Sequence, residues 1–420
     1  MSADRTAPPP SRWRGRQASR YRFAKMSLAI VGVAAAVGLA ACSSASGGTA
    51  AGGGGNAASG GTIQLGISVP LSGAVGSSCG PMNQAMLAWF NHVNATGGVD
   101  GAKINVDNRD DGYTAARAVT NTKAFIAEHV LAVTGQCGSL QPPAQVPLLT
   151  AAKIPFLFAF GATNAMLNPL SPMYFNLMPT YGDQLAAEIP WVFQHYGKGS
   201  VVLMNTVTPD SPTTTTQVEN AVKSAGGTYL ATYNAEPGTA DFSPFVLQMK
   251  QQHPDYVIID QIPQDAARLL QEMSSLNFLP TKNIIGSNAV SQQTFLASVS
   301  AAVQPKLLLT SDVEAPASAT GTQCDKVLTA AKIAVTGVTL RGCGTAQVVV
   351  KALQDAKKPL TSAGIVTALQ SWTNVKASEV YPPITFTSTN HVGVTQLYIF
   401  GAKNNAFNQV GSLTLSGSGS

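Results

Sequence analysis

The sequence predicts an α/β fold made of two doubly wound lobes, each with a parallel sheet covered by helices on both faces. Short apolar segments rich in β-branched residues alternate with helix-length amphipathic segments from residue 62 onward. This alternation is typical of parallel sheets. The alternating units are too numerous for one doubly wound sheet, so we expect two. Polar, glycine-containing loops follow several strands, which is where open α/β sheets bind ligands.

Residues 1–41 predict export from the cytoplasm. A cationic stretch precedes an apolar segment, residues 28–41, that is too short to span a bilayer. The segment ends in Leu39-Ala40-Ala41-Cys42, which resembles a bacterial lipobox. We therefore expect a signal peptide over 1–41 and lipidation of Cys42, which anchors the protein to the outer face of the membrane. The alternatives are an ordinary secretory signal with an incidental cysteine, and Met26 as the true start.

The charge distribution argues against a nucleic-acid partner. The formal net charge is +5, but residues 1–41 hold seven cations and one anion, which leaves 19 cations against 20 anions in the rest of the chain. The basic character therefore belongs to the leader. Residues 43–61 are almost wholly Gly, Ala, Ser and Thr, so we expect residues 42–61 to form a flexible tether behind the lipid anchor.

The first lobe is expected to contain four strands and three helices. The predicted strands are Thr62–Val69, Lys103–Asn108, His129–Thr134 and Ile154–Phe158. The predicted helices begin at Pro81, run from Thr114 to Glu128, and cover residues 143–152. On the first helix a stripe at helical spacing predicts core packing: Met82, Met86, Trp89, Phe90 and Val93.

The second lobe repeats the alternation. Its predicted strands are Ser200–Asn205, Thr228–Tyr233, Tyr256–Asp260 and Asn283–Gly286. Its predicted helices cover residues 182–196, 214–225, 242–252 and 264–276. Loops at 72–80, 135–139 and 161–164 in the first lobe, and at 261–264 and 287–288 in the second, all follow strands. Two lobes whose loop-bearing edges face each other form a cleft that can close on a small molecule.

The turn Gly161-Ala162-Thr163-Asn164 has two interpretations. It follows a buried apolar strand and ends in residues that favour helix N-caps. Thr163 is therefore either only a cap, or part of a site at which backbone N–H groups and a hydroxyl bind a carboxylate or another polar oxygen.

Four cysteines remain when Cys42 is set aside, an even number in an exported chain. They allow three pairings. Cys79 and Cys137 follow the first and third strands, which are neighbours in a 2-1-3 sheet order, and Cys324 and Cys343 bracket a short segment. The sequence thus predicts disulfides 79–137 and 324–343.

Nothing in the sequence predicts catalysis, a metal site or a cofactor. The five histidines are scattered, and the usual nucleophile, phosphate-binding and dinucleotide-binding motifs are missing. Paired cysteine or histidine spacings for zinc do not occur. The stretch 107–112 lacks the residue pattern of a calcium loop. We therefore expect a binding protein and not an enzyme.

Several phrases together resemble one family. They are Gly97-Gly98-Val99-Asp100-Gly101-Ala102-Lys103-Ile104, the Cys137 loop with Pro143-Ala144, Gly161-Ala162-Thr163-Asn164, and Asp241-Phe242-Ser243. Their order and spacing over residues 62–410 resemble the type I periplasmic-binding fold. The specific resemblance is to the leucine/isoleucine/valine-binding proteins of branched-chain amino-acid ABC transporters.

The resemblance implies an extracytoplasmic, monomeric receptor that closes on a small ligand and delivers it to an ABC permease. It implies a hinge of three crossings, near Pro179–Asp183, Ser311–Pro316 and Tyr381–Ile384. Lobe one would then be 62–180 with 314–382, and lobe two 181–313 with 383–412. The alternatives are a sensory receptor of the same fold that signals to a membrane or regulatory partner, and a lipoprotein enzyme such as an amidohydrolase.

Nine residues are expected to bind the ligand. The resemblance implies Gly138, Ser139, Gly161 and Thr163 for a ligand carboxylate and places Asn288 at the amine-binding position. The loops that follow strands add Ser72, Cys79, Ala162 and Gln261. Three positions depart from the family pattern. Gly138 follows the loop cysteine where a serine is usual, Ser77-Ser78-Cys79 replaces an aromatic cover, and Asn288 stands where the family has an acid for the ligand ammonium. The ligand is therefore an amino acid, an amide, a carboxylate without an amine, or another small polar solute.

Overall fold

The computed structural model describes residues 61–161, 163–314 and 320–415. The expected signal peptide, Cys42 and nearly all of the expected tether lie outside these ranges, as do Ala162 and part of the expected crossing at Ser311–Pro316. Within them, no helix combines the length and the apolar character needed to cross a membrane.

The first lobe is built on a parallel sheet of five strands in the order β2-β1-β3-β4-β5. The strands are β1 (Thr62–Val69), β2 (Lys103–Asp110), β3 (Ala132–Thr134), β4 (Phe156–Leu157) and β5 (Tyr174–Phe175). The predicted 2-1-3 order is confirmed, with β1 paired to β2 along its whole length. Strands β3 and β4 are shorter than predicted, because His129 (φ 55) and Phe158 (φ 58) adopt left-handed backbone that cannot continue a strand.

Four helices connect these strands: α1 (Gly76–Ala95), α2 (Ala115–Ala127), α3 (Pro142–Ala152) and α4 (Asn164–Leu167). The prediction that α1 begins at Pro81 is wrong. The Cys79 N–H already donates to the Val75 carbonyl at 2.9 Å, so the helix has begun before the proline, which lies inside it. The apolar stripe on α1 packs in the core as predicted, with Met82, Met86, Phe90 and Val93 buried.

The second lobe holds a sheet of seven strands in the order β12-β11-β10-β9-β8-β6-β7. The strands are β6 (Ser200–Thr206), β7 (Thr228–Ala235), β8 (Tyr256–Asp260), β9 (Ile284–Gly286), β10 (Leu307–Ser311), β11 (Gln396–Lys403) and β12 (Ala406–Thr414). Five are parallel, and the β11–β12 hairpin adds antiparallel strands at one edge. Asn404 and Asn405 both have positive φ, as a two-residue hairpin turn requires.

Helices cover both faces of this second sheet: α5 (Tyr181–Tyr196), α6 (Ser211–Ser224), α7 (Ser243–Gln252), α8 (Pro263–Ser275) and α9 (Gln293–Ser298). A short 3-10 turn, Gln304–Lys306, precedes β10. Three later helices return to the first lobe: α10 (Gln323–Ala330), α11 (Gly337–Asp355) and α12 (Ser362–Gln370). Their apolar residues share one core with β1 and α1.

The chain passes between the lobes in three places: between β5 and α5, between β10 and α10, and just before β11. The chain segments of the first and third passages lie side by side, since the Val394 N–H donates to the Leu177 carbonyl at 2.7 Å. Ile384, Phe386 and Val394 all belong to the first core. The third passage therefore lies about residue 395, later than the expected Tyr381–Ile384, because this loop packs on the first sheet before it leaves.

Both predicted disulfides are present. Cys79–Cys137 joins α1 to the loop after β3, and Cys324–Cys343 joins α10 to α11. The first connects the two neighbouring strand ends from which it was predicted. It therefore ties the start of α1 to the carboxyl edge of the first sheet.

Candidate ligand-binding cleft

A cleft lies between the two lobes, where the carboxyl ends of both sheets face each other. The volume of this cleft is about 100 Å³, which is enough for several water molecules or one small solute. Ten of the residues that line the cleft form two groups, one from each lobe. The first-lobe wall consists of Cys79, Cys137, Gly138, Ser139 and Thr163. The second-lobe wall consists of Thr206, Asp210, Asp260, Gln261 and Asn288. The loops expected to face each other therefore do so.

Six of the nine residues expected to bind ligand line this cleft: Cys79, Gly138, Ser139, Thr163, Gln261 and Asn288. Ala162 lies outside the described residues. Ser72 is not part of the lining. Its hydroxyl donates to the Asp110 carboxylate at 2.6 Å in an exposed turn, so its role is to hold the β1–α1 connection.

Gly161 also lies behind the cleft and not on its surface. A Cβ atom at this position would come within 2.3 Å of the Gly138 carbonyl oxygen. The Gly138 N–H donates to the Phe160 carbonyl at 2.9 Å, so this group is unavailable to a ligand. Gly138 has φ +105, and a Cβ there would come within 2.4 Å of the Tyr113 ring. The two glycines thus bring two backbone turns into contact.

Thr163 precedes α4 in the N-cap position, yet its side chain makes no cap bond. A residue of the other lobe supplies the cap, because the Asp210 carboxylate accepts bonds from the Asn164 N–H at 2.9 Å and the Asn164 amide at 3.1 Å. Thr163 is 1% exposed, and its hydroxyl has no partner among the described residues. The interpretation of Thr163 as only a helix cap therefore fails.

Asn288 belongs to a buried polar chain. Its amide nitrogen donates to Asp312 at 3.0 Å, and Asp312 accepts bonds from the Arg341 guanidinium, with an ion pair of 2.6 Å. Arg341 also lines the cleft. Because Asp312 neutralises it, this arginine adds little net positive charge to the site. The amide orientation follows from the bond to Asp312, which leaves the Asn288 carbonyl oxygen unpartnered.

Asp260 is the last residue of β8 and lines the cleft. Burial raises the pKa of its carboxyl group to about 7, and the neighbouring Asp210 carboxylate adds to the rise. Part of Asp260 remains accessible, so its surroundings are the cleft itself and not the protein core. A carboxylate with this pKa is readily stabilised by a positive charge.

Tyrosine side chains enclose the same space. Tyr113 and Tyr181 both line the cleft, and burial raises the pKa of each hydroxyl far above its usual range. The Asp260 charge contributes to both rises, and Asp260 lines the cleft together with both tyrosines. Hydrogen bonds lower the two pKa values, from the Ser139 backbone to Tyr113 and from the Ser139 side chain to Tyr181.

The lobes touch across the cleft mouth. The Gln264 amide on α8 donates to the hydroxyls of Ser77 at 2.9 Å and Ser78 at 3.2 Å on α1. Asn164 also bonds across the cleft, to the Asp210 carboxylate and to the Gln217 side chain at 3.3 Å. The structure therefore shows the cleft with its walls in contact.

Sequence comparison decides the family. Residues 62–406 match the family described as periplasmic binding protein. The chain belongs to this family. No curated protein matches the chain in sequence.

Solved structures share the fold of this periplasmic binding protein at low identity. A branched-chain amino-acid ABC transporter protein from Thermus thermophilus with bound valine is 16% identical, with a TM-score of 0.76 over 84% of this chain and 97% of that one. A fatty acid ABC transporter substrate-binding protein from Thermomonospora curvata is 21% identical, with a TM-score of 0.76 over 86% and 95%. A solute-binding protein from Rhodopseudomonas palustris in complex with 3,4-dihydroxybenzoic acid is 16% identical, with a TM-score of 0.72 over 85% and 98%.

Membership of the periplasmic binding protein family, together with the shared fold, confirms the predicted type I fold. It also confirms the expectation that the chain is a solute-binding protein and not an enzyme. It also implies a location outside the cytoplasm. Among the residues that the structure describes, no group of three or more His, Cys, Asp or Glu side chains is arranged to hold a metal ion.

Sequence reasoning missed several lining residues of this periplasmic binding protein: Tyr113, Tyr181, Thr206, Asp210, Asp260 and Arg341. Asp260 could have been predicted as a lining residue, because it ends a correctly predicted strand immediately before Gln261. Asp210 lies in a strand-to-helix loop of the same kind. Arg341 gave no local signal, since its position depends on α11 packing against a distant loop.

Proposed function

We propose that this periplasmic binding protein captures a small polar ligand, an amino acid or a related amide or carboxylate, and delivers it to an ABC permease. The cleft closes by rotation of the lobes about the three passages between them. Ligand binding shifts the equilibrium toward the closed form because the closed cleft offers contacts from both lobes. The closed lobes then form the surface that a permease recognises.

One observation carries this proposal: buried polar atoms that have no hydrogen-bond partner among the described residues line the cleft from both lobes. They are the Thr163 hydroxyl, the Thr206 hydroxyl, both amide atoms of Gln261 and the Asn288 carbonyl oxygen. Leaving a buried polar group unpaired costs about 1–3 kcal/mol, and native proteins carry few of them. Several in one cleft indicate a polar ligand that completes their hydrogen bonds.

The neighbours support a ligand with a carboxyl group. Valine, fatty acids and 3,4-dihydroxybenzoic acid, which the neighbouring proteins are described as binding or transporting, all carry one. In this chain the hydroxyls of Ser139 and Thr163 on the first-lobe wall are suited to bind such oxygens. We assign ligand contacts to Ser139, Thr163, Gln261 and Asn288, with Cys79 and Gly138 shaping the floor.

A thermal-shift screen of amino acids, amides and short carboxylates tests ligand capture. A compound present at about 100 times its Kd stabilises the folded protein by about 2.7 kcal/mol, so a ligand should raise the melting temperature clearly. If no compound of these classes does so, the proposed ligand class is wrong.

Uptake of the labelled ligand by cells with and without the gene tests delivery. Reduced uptake without the protein supports transport. Unchanged uptake with altered gene expression would favour a sensory receptor instead.

We propose that lipidation of Cys42 holds the protein at the outer face of the membrane. The support is the lipobox-like sequence ending at Cys42 and the extracytoplasmic location that the family implies. Growth with a labelled fatty acid should mark the wild-type protein, and Cys42→Ser should remove the mark. A labelled Cys42→Ser variant would contradict the anchor.

A further inference from the structure

The second-lobe wall contains two carboxylates that differ in their partners. Asp210 accepts two bonds from Asn164 of the other lobe. Asp260 accepts no hydrogen bond from any residue that the structure describes, and its charge lies near that of Asp210. The ionised form of a carboxylate is destabilised by a like charge beside it and by the lack of a hydrogen-bond donor. A bound cation would remove this destabilisation.

We propose that Asp260 binds a protonated amine of the ligand, and so takes the role of the acid that is missing at Asn288. This inference rests on the proposed function, which it narrows to ligands with a positively charged nitrogen. The ligand then lies across the cleft. Its amine contacts the second-lobe wall, and a polar oxygen contacts the first-lobe wall.

Neighbouring unpartnered acceptors support an ammonium at this position. Gln261 is 2% exposed and Thr206 is 5% exposed, and the polar side-chain atoms of both lack partners. Asp260 is paired in register with Asn205, so Thr206 and Gln261 extend side by side from adjacent strands. An ammonium has three N–H donors, and Asp260, Gln261 and Thr206 supply one oxygen each.

The charges of the lining support the same ligand class. Its formally charged members are Asp210, Asp260 and Arg341. Arg341 is paired with Asp312, so the two carboxylates of the second-lobe wall leave the cleft negative when both are ionised. A negative cleft favours a cationic group and opposes a second carboxylate near Asp260.

The aromatic rings of Tyr113 and Tyr181 are a further source of attraction for the ammonium group of the ligand. Both rings line the same cleft as Asp260, and an aromatic face attracts an ammonium held close to it. Burial raises the pKa of both hydroxyls, so the rings stay neutral near pH 7. Among the described carboxylates, Asp210 is the one whose charge raises the pKa of Asp260.

Calorimetry with matched probes tests the inference. The probes are L-valine and 4-aminobutanoate, their deaminated analogues 3-methylbutanoate and butanoate, and their decarboxylated analogues 2-methylpropan-1-amine and propan-1-amine. At pH 8 we expect amine-bearing probes to bind about tenfold to a hundredfold more tightly than the deaminated ones, the range of a charge-assisted hydrogen bond.

The variant Asp260→Asn should lose about this factor for the amines, whereas the deaminated carboxylates should bind at least as tightly as they bind the wild type, because a repelling charge is removed. Its matched control is Asp255→Asn, which makes the same change of charge at the other end of β8, where Asp255 binds Ser200 and Thr281. The control should bind every probe as the wild type does. Circular dichroism and melting curves check that both variants fold.

A pH series gives an independent readout. Because the amine needs the ionised carboxylate, wild-type affinity for amines should fall below pH 7, by up to about tenfold per pH unit. Asp260→Asn should remove most of this dependence and leave only the part due to Asp210.

Two outcomes contradict the inference in different ways. If deaminated probes bind as tightly as amines, or if Asp260→Asn binds amines normally, Asp260 does not hold an amine, and the proposed function stands. If none of the six probes binds at millimolar concentration but an uncharged amide or a carboxylate without an amine from the thermal-shift screen does, the inference fails and the proposed function stands; if no compound of the screen binds either, both fail.

Discussion

The two walls of the cleft differ in how they are held and in what they offer a ligand. The first-lobe wall is braced by the Cys79–Cys137 disulfide and by the close contact of Gly138 with Gly161. The hydroxyl of this wall that has no partner among the described residues is that of Thr163, which is neutral. The second-lobe wall has no covalent brace, and it presents carboxylates and amides from the ends of β6, β8 and β9. We infer that the first wall determines the shape of the ligand and the second its charge.

The largest expected effect concerns the brace of the first wall. The double variant Cys79→Ala with Cys137→Ala should lower the free energy of unfolding by about 4 kcal/mol, because the disulfide closes a loop of 58 residues. Denaturant titration measures this. Removing Cys324–Cys343, which closes 19 residues, should cost about 3 kcal/mol. A larger loss at the shorter loop would show that loop closure does not dominate.

Removal of the Thr163 hydroxyl tests the oxygen-binding side of the same wall. Thr163→Ala should weaken binding of the compound found by screening by about 1–3 kcal/mol, since a buried ligand oxygen loses its donor. Thr163→Ser should retain most of the affinity. Thr216→Ala is the control, because Thr216 is exposed and bonds only within α6. Equal affinities for all four proteins would exclude a contact with Thr163.

Asp260→Asn tests the charge of the second wall in the free protein. Because the pKa of Asp260 is raised to about 7, its ionised form destabilises the fold above that pH and not below about pH 4. The variant should therefore be more stable than the wild type at pH 8 by about 2 kcal/mol, after a discount for solvent. This advantage should shrink as the pH falls toward 4. Melting curves across this range measure it, and a variant less stable at pH 8 would contradict it.

The smallest expected effect lies at the mouth of the cleft, where both walls end. Gln264→Ala removes the bonds to Ser77 and Ser78. Because these groups are partly exposed and water replaces the lost bonds, ligand affinity should fall by only about 0.5–1 kcal/mol. Calorimetry with the screened ligand measures the change. A loss as large as that of Thr163→Ala would mean that closure depends on this contact.

The local parts of the structure could be predicted from the sequence. Strands β1 and β8 have their predicted limits because β-branched apolar runs define them. The disulfides followed from strand order and an even cysteine count. The limits of β3 and β4 could not be predicted, because left-handed residues such as Phe158 are set by packing and not by residue type.

The site was predictable only as a set of loops. Thr163, Gln261 and Asn288 line the cleft because they follow strands, and such residues meet at one edge of a sheet. The bond that each group makes was not predictable. The Gly138 N–H is used by Phe160, and the helix cap comes from Asp210, 46 residues beyond Asn164. These partners depend on the meeting of two lobes, which no local pattern encodes.

The cap that Asp210 supplies to α4 has a consequence for the proposed delivery to a permease. It joins the lobes without any contribution from a ligand, so some empty molecules should adopt the closed shape. A permease that recognises this shape would be engaged by empty molecules in proportion to their population. The strength of the contacts between the lobes, to which Asp210 contributes with Gln264, would then set a compromise between easy capture and unproductive docking, and Asp210→Ala would move the balance toward the open form.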